Sequence, residues 1–134
     1  MRTLILFLFL ACFKLSAPPG YQVVVILRPE PLTNLEAIWA AVCQVESSGN
    51  RWAVNFEKGG HSVGIAQIRQ VRINHYNRLT GKDYILQDAF DPEISREIFM
   101  YFARRIGNED KLIMAWNGSG PETVEYLKKV KAVL

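Results

Sequence analysis

The sequence contains few of the residues that build disulfides and metal sites, with two cysteines and two histidines among 134 residues. Only Cys43 lies in the mature chain predicted below, and a single thiol cannot form an internal disulfide. Because Cys43 follows a run of apolar residues, we expect it to be a buried structural thiol. His61 and His75 have no neighbouring cluster of ligands, so we expect both at the surface and predict no metal site and no cofactor.

Basic tracts and long apolar runs are equally scarce. No run of basic residues interleaved with aromatics occurs, which argues against a nucleic-acid surface. The apolar run from Leu4 to Phe13 is far shorter than the ~20 residues that a membrane-spanning helix needs. No internal repeat is present, and 49% hydrophobic with 22% charged residues is typical of an ordinary globular domain.

Residues 1–17 predict an export signal. Arg2 provides the positive start, an apolar run follows, and Ala17 is the small residue that cleavage requires. The mature chain would then begin near Pro18, and we expect it in the periplasm or cell envelope. Lipid anchoring through Cys12 is the alternative, because the residues before it loosely resemble a lipoprotein cleavage box.

The first helix of the mature chain is predicted to end at a carboxylate. Residues 18–31 are rich in proline and predict an extended lead-in to a domain over residues 32–134. Apolar residues then recur at helical spacing, at positions 35, 38, 39, 42 and 45. Turn-forming residues from Ser47 to Asn50 end this helix at Glu46 or Ser47. A carboxylate in the last turn faces the negative end of the helix dipole, which disfavours it.

The remaining pattern predicts a mainly α domain with one glycine-rich, β-like excursion. Loops and a small hairpin are expected over residues 52–68, where the pattern is irregular. Helices are predicted over residues 71–79, from the cap at Asp91 to Gly107, over residues 111–116, and from Pro121 onward. In the last helix we expect Val124, Leu127 and Val130 to face the core.

Three separated segments place polar groups at helix ends or in glycine-containing loops. They read Glu-Ser-Ser-Gly-Asn at residues 46–50, Gly-Ile-Ala-Gln-Ile at 64–68 and Ala-Trp-Asn-Gly-Ser-Gly-Pro at 115–121. Such loops commonly present binding groups on a scaffold. Each segment alone is a weak signal, but their order and spacing are more specific.

In order and spacing these segments resemble the lytic transglycosylases of the soluble-transglycosylase (SLT) type, relatives of goose-type lysozyme. The first segment, with Ala-Val-Asn at residues 53–55, is similar to that family's catalytic Glu motif. The second is similar to its Gly-Leu-Met-Gln-Ile loop, with Ala66 in place of Met. The third, followed by Tyr126, is similar to its Ala-Tyr-Asn-Ala-Gly-Pro segment, with Ser119 as an additional residue. The resemblance implies a lysozyme-like α domain.

The resemblance also implies a reaction and a set of site residues. The enzyme would cleave the β-1,4 bond between MurNAc and GlcNAc in peptidoglycan and form 1,6-anhydromuramyl ends, without water or metal. Glu46 would act first as acid and then as base. Ser47 and Gln67 would hydrogen-bond the sugar or its acetamido group, Asn117 would shape the site, and Tyr126 would donate to Glu46 and orient it.

The chemistry of glycoside cleavage bears on the same residue independently. A proton must reach the leaving oxygen, so the donor needs a raised pKa, which apolar neighbours such as Val42, Val45 and Trp52 could give Glu46. Ordinary glycosidases use a second carboxylate. The remaining candidates share no motif, and Asp91 is better explained as a helix cap. They are Glu57, Asp83, Asp88, Asp91 and Glu93.

The sequence is also compatible with two other functions. One is a lysozyme-like hydrolase that uses water, and the other is a non-catalytic peptidoglycan-binding component of a secretion or conjugation apparatus. The surfaces left for such a partner are the proline-rich lead-in and the C-terminal lysines at positions 128, 129 and 131. These lysines are also what a solvated helix face would carry.

Overall fold

The computed structural model describes residues 34–57 and 59–134. The predicted signal, the Cys12 alternative and the proline-rich lead-in lie outside these residues. The described part contains five α-helices, one 3₁₀ helix and a small antiparallel sheet, which confirms the expected lysozyme-like α domain with a β excursion.

Helix α1 spans Leu35–Ser47 and carries Glu46 on its last turn, as the sequence predicted. Ile38 and Val42, four residues apart, are fully buried and fix the inner face of the helix. The helix ends because Ser48 adopts a left-handed conformation and its N–H bonds to the Gln44 carbonyl. The chain therefore turns away directly after Glu46 and leaves this side chain at the edge of the core.

Three short strands form the glycine-rich excursion: β1 (Val54–Glu57), β2 (Gly60–Val63) and β3 (Ile68–Arg69). They pair in antiparallel order β1-β2-β3. Val63 opposite Ile68 faces the core, and both are buried. Because side chains alternate along a strand, the neighbouring row faces the opposite side of the sheet. That row contains Asn55, Ser62 and Arg69.

Four further α-helices follow the sheet. They are α2 (Gln70–Thr80), α3 (Pro92–Ile106), α4 (Glu109–Asn117) and α5 (Glu122–Lys131), with a 3₁₀ helix at Leu86–Phe90 before α3. The predicted signals at both ends of α3 are confirmed, because Asp91 accepts from the Glu93 N–H and Gly107 is left-handed. Helix α4 begins two residues earlier than predicted, because the Asn108 side chain accepts from the Lys111 N–H and caps it.

Helix α3 lies at the centre of the core. Its Ile98, Phe99 and Ala103 are fully buried, and α1 and α4 both pack against it. From α4 come Leu112 and Ile113, also fully buried. Cys43 is a buried free thiol whose burial raises its pKa to about 12, which confirms the structural role predicted for it.

The prediction for the inner face of α5 was partly wrong. Val124 is 48% exposed, whereas Thr123, Tyr126 and Val130 are buried and Leu127 is half-buried. The spacing from Thr123 to Tyr126 and Val130 is three and then four residues, which is one helix face. Thr123 replaces an apolar residue on that face, so the apolar pattern placed the face one residue too far along.

Within residues 34–57 and 59–134, no helix is long and apolar enough to cross a bilayer. The same ranges contain no group of three or more His, Cys, Asp or Glu side chains that could hold a metal ion. His61 and His75 are both exposed, as the sequence predicted.

Candidate active site

A groove of about 860 Å³ runs along one side of the domain. The polar row of the sheet forms one wall, α2 runs along the groove, and the end of α4 forms the other wall. The groove brings together Glu46, Gln67 and Asn117, one residue from each of the three sequence segments. Ser47 and Tyr126 do not line the groove. Each donates a hydrogen bond to another group of the site, Ser47 to the Ile65 carbonyl and Tyr126 to Glu46.

One hydrogen bond from helix α5, which packs against α1, holds the Glu46 side chain. The hydroxyl of Tyr126, on α5, donates to Glu46 Oε1 at 2.6 Å. Tyr126 is 7% exposed, so the hydroxyl that holds Glu46 belongs to a side chain fixed in the core. Among the described residues, none donates a hydrogen bond to Glu46 Oε2. One carboxylate oxygen is therefore anchored, and the other is free to meet a ligand in the groove.

Burial changes the acidity of this pair. Desolvation raises the pKa of Glu46, and the Tyr126 hydrogen bond and the positive charges of Arg72 and Arg69 offset only part of that rise. The pKa of Tyr126 is also raised, first by burial and then by the nearby Glu46 carboxylate. Tyr126 therefore remains a hydrogen-bond donor, and the protonated form of Glu46 persists to a higher pH than in an exposed glutamate.

The source of that desolvation differs in part from the prediction. Val42 is fully buried and Val45 is half-buried on the same helix as Glu46. Trp52, the third predicted neighbour, is 65% exposed and packs against Phe90 with ring centroids 5.7 Å apart.

The segment Gly64–Gln67, here called the pinned loop, is fixed by side chains from two helices. Ser47 at the end of α1 donates its hydroxyl to the Ile65 carbonyl at 2.8 Å. Trp116 on α4 donates its indole N–H to the Ala66 carbonyl at 3.1 Å. Ala66 itself is fully buried, so the residue that replaces the family's Met packs into the core.

Gln67 closes the pinned loop by using the full hydrogen-bonding capacity of its side chain. Its Oε1 accepts from Asn55 Nδ2 and Ser62 Oγ, both at 2.8 Å. Its Nε2 donates to the carbonyl oxygens of Gly64 at 2.9 Å and Ala53 at 3.3 Å. Gln67 thus lines the groove and also ties the polar row of the sheet to the loop.

The third sequence segment, residues 115–121, forms the opposite wall of the groove and is more exposed than the pinned loop. Residues 117–120, here called the open loop, are all exposed, and Gly118 and Gly120 both have positive φ. Asn117 ends α4 and lines the groove. Thr123 Oγ1 donates to the Gly120 carbonyl at 2.7 Å and supports the far end of this loop.

Arg72 on α2 is a groove residue that sequence reasoning missed. Its Nη2 donates to the carbonyls of Ala115 at 3.0 Å and Trp116 at 2.8 Å, and its guanidinium lies 4.2 Å from the Trp116 ring centroid. A cation on the last carbonyls of a helix is favoured by the helix dipole. Arg72 therefore fixes the end of α4 beside Glu46. The sequence signal that could have indicated Arg72 is its three-residue spacing from Arg69 and His75.

The structure shows where each of the five candidates for a second catalytic carboxylate lies. Of the five, Glu57 is the one that lines the groove among the described residues, and it forms an ion pair with Arg69. Asp91 caps α3, as predicted. Asp88 lies within the 3₁₀ helix and accepts from the N–H of its capping residue Ile85 at 2.8 Å. Asp83 and Glu93 are exposed residues outside the groove lining.

A family model for the transglycosylase SLT domain matches residues 32–132 of the chain. The chain belongs to this family. The comparisons with curated proteins and with solved structures gave no match. An SLT domain supports a lytic transglycosylase-type function that acts on peptidoglycan. The match covers the described helices and sheet, and it includes Glu46 and every other residue discussed in the groove.

Proposed function

We propose that this SLT domain is an active lytic transglycosylase that cleaves the MurNAc–GlcNAc bond and leaves 1,6-anhydromuramyl ends. The observation that carries the proposal is the state of Glu46. It is partly buried, its pKa is raised, and one of its carboxylate oxygens is anchored while the other has no protein donor. A group in this state keeps its proton to a higher pH than an exposed glutamate does, as a general acid requires.

In the first step Glu46 gives its proton to the glycosidic oxygen, and the bond from that oxygen to the muramyl C1 breaks. The carbonyl oxygen of the substrate's own N-acetyl group attacks C1 and forms an oxazolinium ion. This assistance replaces the carboxylate nucleophile of ordinary retaining enzymes. Positive charge grows at C1 while the partly buried Glu46 becomes negative, so the two charges stabilise each other.

In the second step Glu46, now a carboxylate, accepts the proton of the muramyl 6-hydroxyl. The O6 oxygen attacks C1, the bond to the acetamido oxygen breaks, and the N-acetyl group is restored. Glu46 ends protonated, and no water is consumed. One carboxyl that changes role between the steps is sufficient for the whole sequence.

The other predicted site residues support Glu46 in different ways. Tyr126 positions the carboxyl through its 2.6 Å hydrogen bond. Ser47 acts through the pinned loop, because its hydroxyl already donates to the Ile65 carbonyl. Gln67 and Asn117 line the groove and would contact the sugar or its acetamido group, with Gln67 doing so by exchanging one of its internal hydrogen bonds.

The decisive experiment is digestion of purified peptidoglycan by the full chain and by its Glu46→Gln variant, followed by mass spectrometry. We expect anhydromuramyl products, lighter by one water than reducing products, and a loss of about 10²- to 10⁴-fold in the variant, which is the range for removal of a general acid. A Glu122→Gln variant, altered at an exposed carboxylate outside the groove, controls for the change of charge. Equal cleavage by the Glu46 variant would refute the assignment.

A water-using hydrolase is the second candidate, and Glu57 is the observation that favours it. This carboxylate lines the same groove as Glu46, where a hydrolase would need a second acid. Its ion pair with Arg69 supports a structural role instead. Reducing muramyl ends, together with a large loss in Glu57→Gln, would establish the hydrolase. Anhydro ends and a small loss would support the transglycosylase.

Cellular location and partners belong to the same proposal. We expect export to the periplasm or cell envelope, with docking to a secretion or conjugation apparatus as a specialised role. Fractionation of the tagged full-length protein with intact-mass measurement tests the export step. A mature chain that starts near Pro18 would support soluble export, a lipid-modified Cys12 would support anchoring, and unprocessed cytoplasmic protein would contradict both.

A further inference from the structure

A row of basic residues follows the groove along α2. Arg69, Arg72, His75 and Arg78 stand three residues apart, and all four line the groove. Residues three apart are neighbours on a helix surface, so Arg72, His75 and Arg78 follow one another along α2, and Arg69 lies directly before its first turn. The three arginines make this a cationic row. With a rise of about 1.5 Å per residue, Arg78 lies ~9 Å along the helix axis from Arg72.

The arginines of this row differ in what they already bind. Arg69 is paired with Glu57, and Arg72 donates to the Ala115 and Trp116 carbonyls. Arg78 is exposed, and no described residue forms an ion pair or a hydrogen bond with its guanidinium. Arg78 is thus the arginine of the row that is available to a ligand.

The charge of the groove is unlike that of the domain around it. The described residues include twelve Lys and Arg against twelve Asp and Glu, so their formal net charge is zero. The described groove lining includes three arginines against Glu46 and Glu57. When Glu46 carries the proton that the proposed reaction needs, Glu57 alone remains negative there, and it is already paired. The groove that is ready to react therefore favours an anion.

The sugar rings of a glycan strand carry no charge, but their muramyl substituents do. A stem peptide with unmodified side chains and C-terminus presents carboxylates, and a strand stripped of its peptides exposes the lactyl carboxylate next to the ring. Each extended peptide residue spans about 3.3 Å, so a stem of three or four residues covers the ~9 Å from Arg72 to Arg78. The lactyl carboxylate, held close to the ring, lacks this reach.

We propose that Arg78, at the end of the cationic row, binds a carboxylate of the stem peptide and makes peptide-bearing glycan the preferred substrate. This subsite rests on the proposed peptidoglycan substrate and deepens it. Guanidinium is suited to the role, because its fork of N–H donors matches the two oxygens of a carboxylate.

The test measures binding without turnover, by calorimetry with the full chain carrying Glu46→Gln, which also mimics the protonated acid. Three ligands share one tetrasaccharide: one bears stem peptides with free carboxylates, one bears the same peptides with those carboxylates amidated, and one is stripped to the lactyl carboxylate. We expect the first to bind about tenfold more tightly than the second, as a charge-assisted hydrogen bond allows.

Adding Arg78→Gln is expected to bring the first two affinities within about twofold, since the pairing charge is gone. Lys129→Gln, which removes an exposed charge on α5 outside the groove, is expected to leave the tenfold difference intact. Equal affinity for free and amidated peptides in the Arg78-containing protein would overturn the subsite. Tight, Arg78-dependent binding of the stripped strand would overturn the assignment to the stem peptide.

Failure of this inference can be told apart from failure of the proposed function. Peptidoglycan cleavage by the wild-type chain tests the function, and the comparison of free with amidated peptides tests the subsite. A wild-type chain without cleavage that still discriminates between the peptides would keep the subsite and lose the enzyme. If none of the three ligands binds, the peptidoglycan substrate and the subsite are both refuted.

Discussion

Two glycine-containing loops flank Glu46, and they are built in opposite ways. The pinned loop is tied down by Ser47, Trp116 and Gln67, and its Gly64 and Ala66 are buried. The open loop is exposed at all four of its positions. One wall of the groove is therefore organised before a ligand arrives, while the other can adapt to it, and the first is where fixed backbone groups can be held for catalysis.

The largest expected effect comes from Gly64→Ala, at the start of the pinned loop. A Cβ atom at Gly64 would lie 2.0 Å from the Ala89 carbonyl oxygen, and Gly64 also has a φ of +80°. The pinned loop and the 3₁₀ helix that contains Ala89 would have to move apart. We therefore expect a loss of about 3 kcal/mol or more in the free energy of unfolding, measured by urea denaturation.

Gly49→Ala is the matched control for this substitution. Gly49 has a φ of +78°, and a Cβ atom there meets nothing within 4 Å. We expect a loss of about 1 kcal/mol from the backbone conformation alone. Equal losses in the two variants would show that the pinned loop moves freely and would remove the contrast between the loops.

The second-largest expected effect compares one polar side chain from each loop, Gln67 and Asn117. Gln67→Ala deletes four hydrogen bonds and leaves the buried Ser62 hydroxyl without its acceptor, while the Gly64 carbonyl keeps its bond from the Gln67 N–H. We expect a loss of about 2 kcal/mol in unfolding free energy, because a buried hydroxyl would be unsatisfied. Asn117→Ala, in the open loop, is expected to change stability by less than about 0.5 kcal/mol. A loss in Asn117→Ala as large as that in Gln67→Ala would contradict the comparison.

The helices were predictable from sequence because they bury one face each. Apolar spacing located α1, and the Asp91 cap with Gly107 bounded α3, since these local signals match the native contacts. Val124 was misplaced because Thr123 completes the buried face of α5 without contributing to an apolar pattern. The 3₁₀ helix at Leu86–Phe90 was missed because it is one short turn without a periodic stripe.

The site was less predictable than the fold. Spacing placed Glu46 at the end of α1, but the contact with Tyr126 joins residues 80 positions apart, and only the family resemblance suggested it. Arg72 belongs to none of the three motif segments. Its function in fixing the end of α4 depends on tertiary packing that periodicity does not encode.

Tyr126 follows the open loop in sequence, so its hydrogen bond to Glu46 tests how firmly that side of the site is held. The bond lowers the pKa of Glu46, and Tyr126→Phe should raise this pKa further. Because activity is lost as pH rises through the pKa of the acid, the alkaline limb of kcat/KM should move to higher pH in the variant. Tyr101→Phe, outside the groove, should leave the profile in place. A uniform loss at every pH would reduce Tyr126 to a packing residue.

The smallest expected effect is that of the Glu46 charge, which lies between the two loops, on the free energy of unfolding. The pKa of Glu46 is raised in the folded protein, so burying the ionised form destabilises the domain at a pH above that pKa, and the penalty disappears once the unfolded chain is protonated too. Glu46→Gln keeps an acceptor for Tyr126 and removes the charge. We expect the variant to be more stable by about 1 kcal/mol at neutral pH, a Tm increase of roughly 4 °C, with the difference vanishing below about pH 4. Thermal unfolding of both proteins across pH measures this. A neutral-pH Tm for Glu46→Gln equal to or below that of the wild type would mean that the carboxylate is stabilised by its surroundings, and the acid required by the proposed reaction would then have no physical basis in this groove.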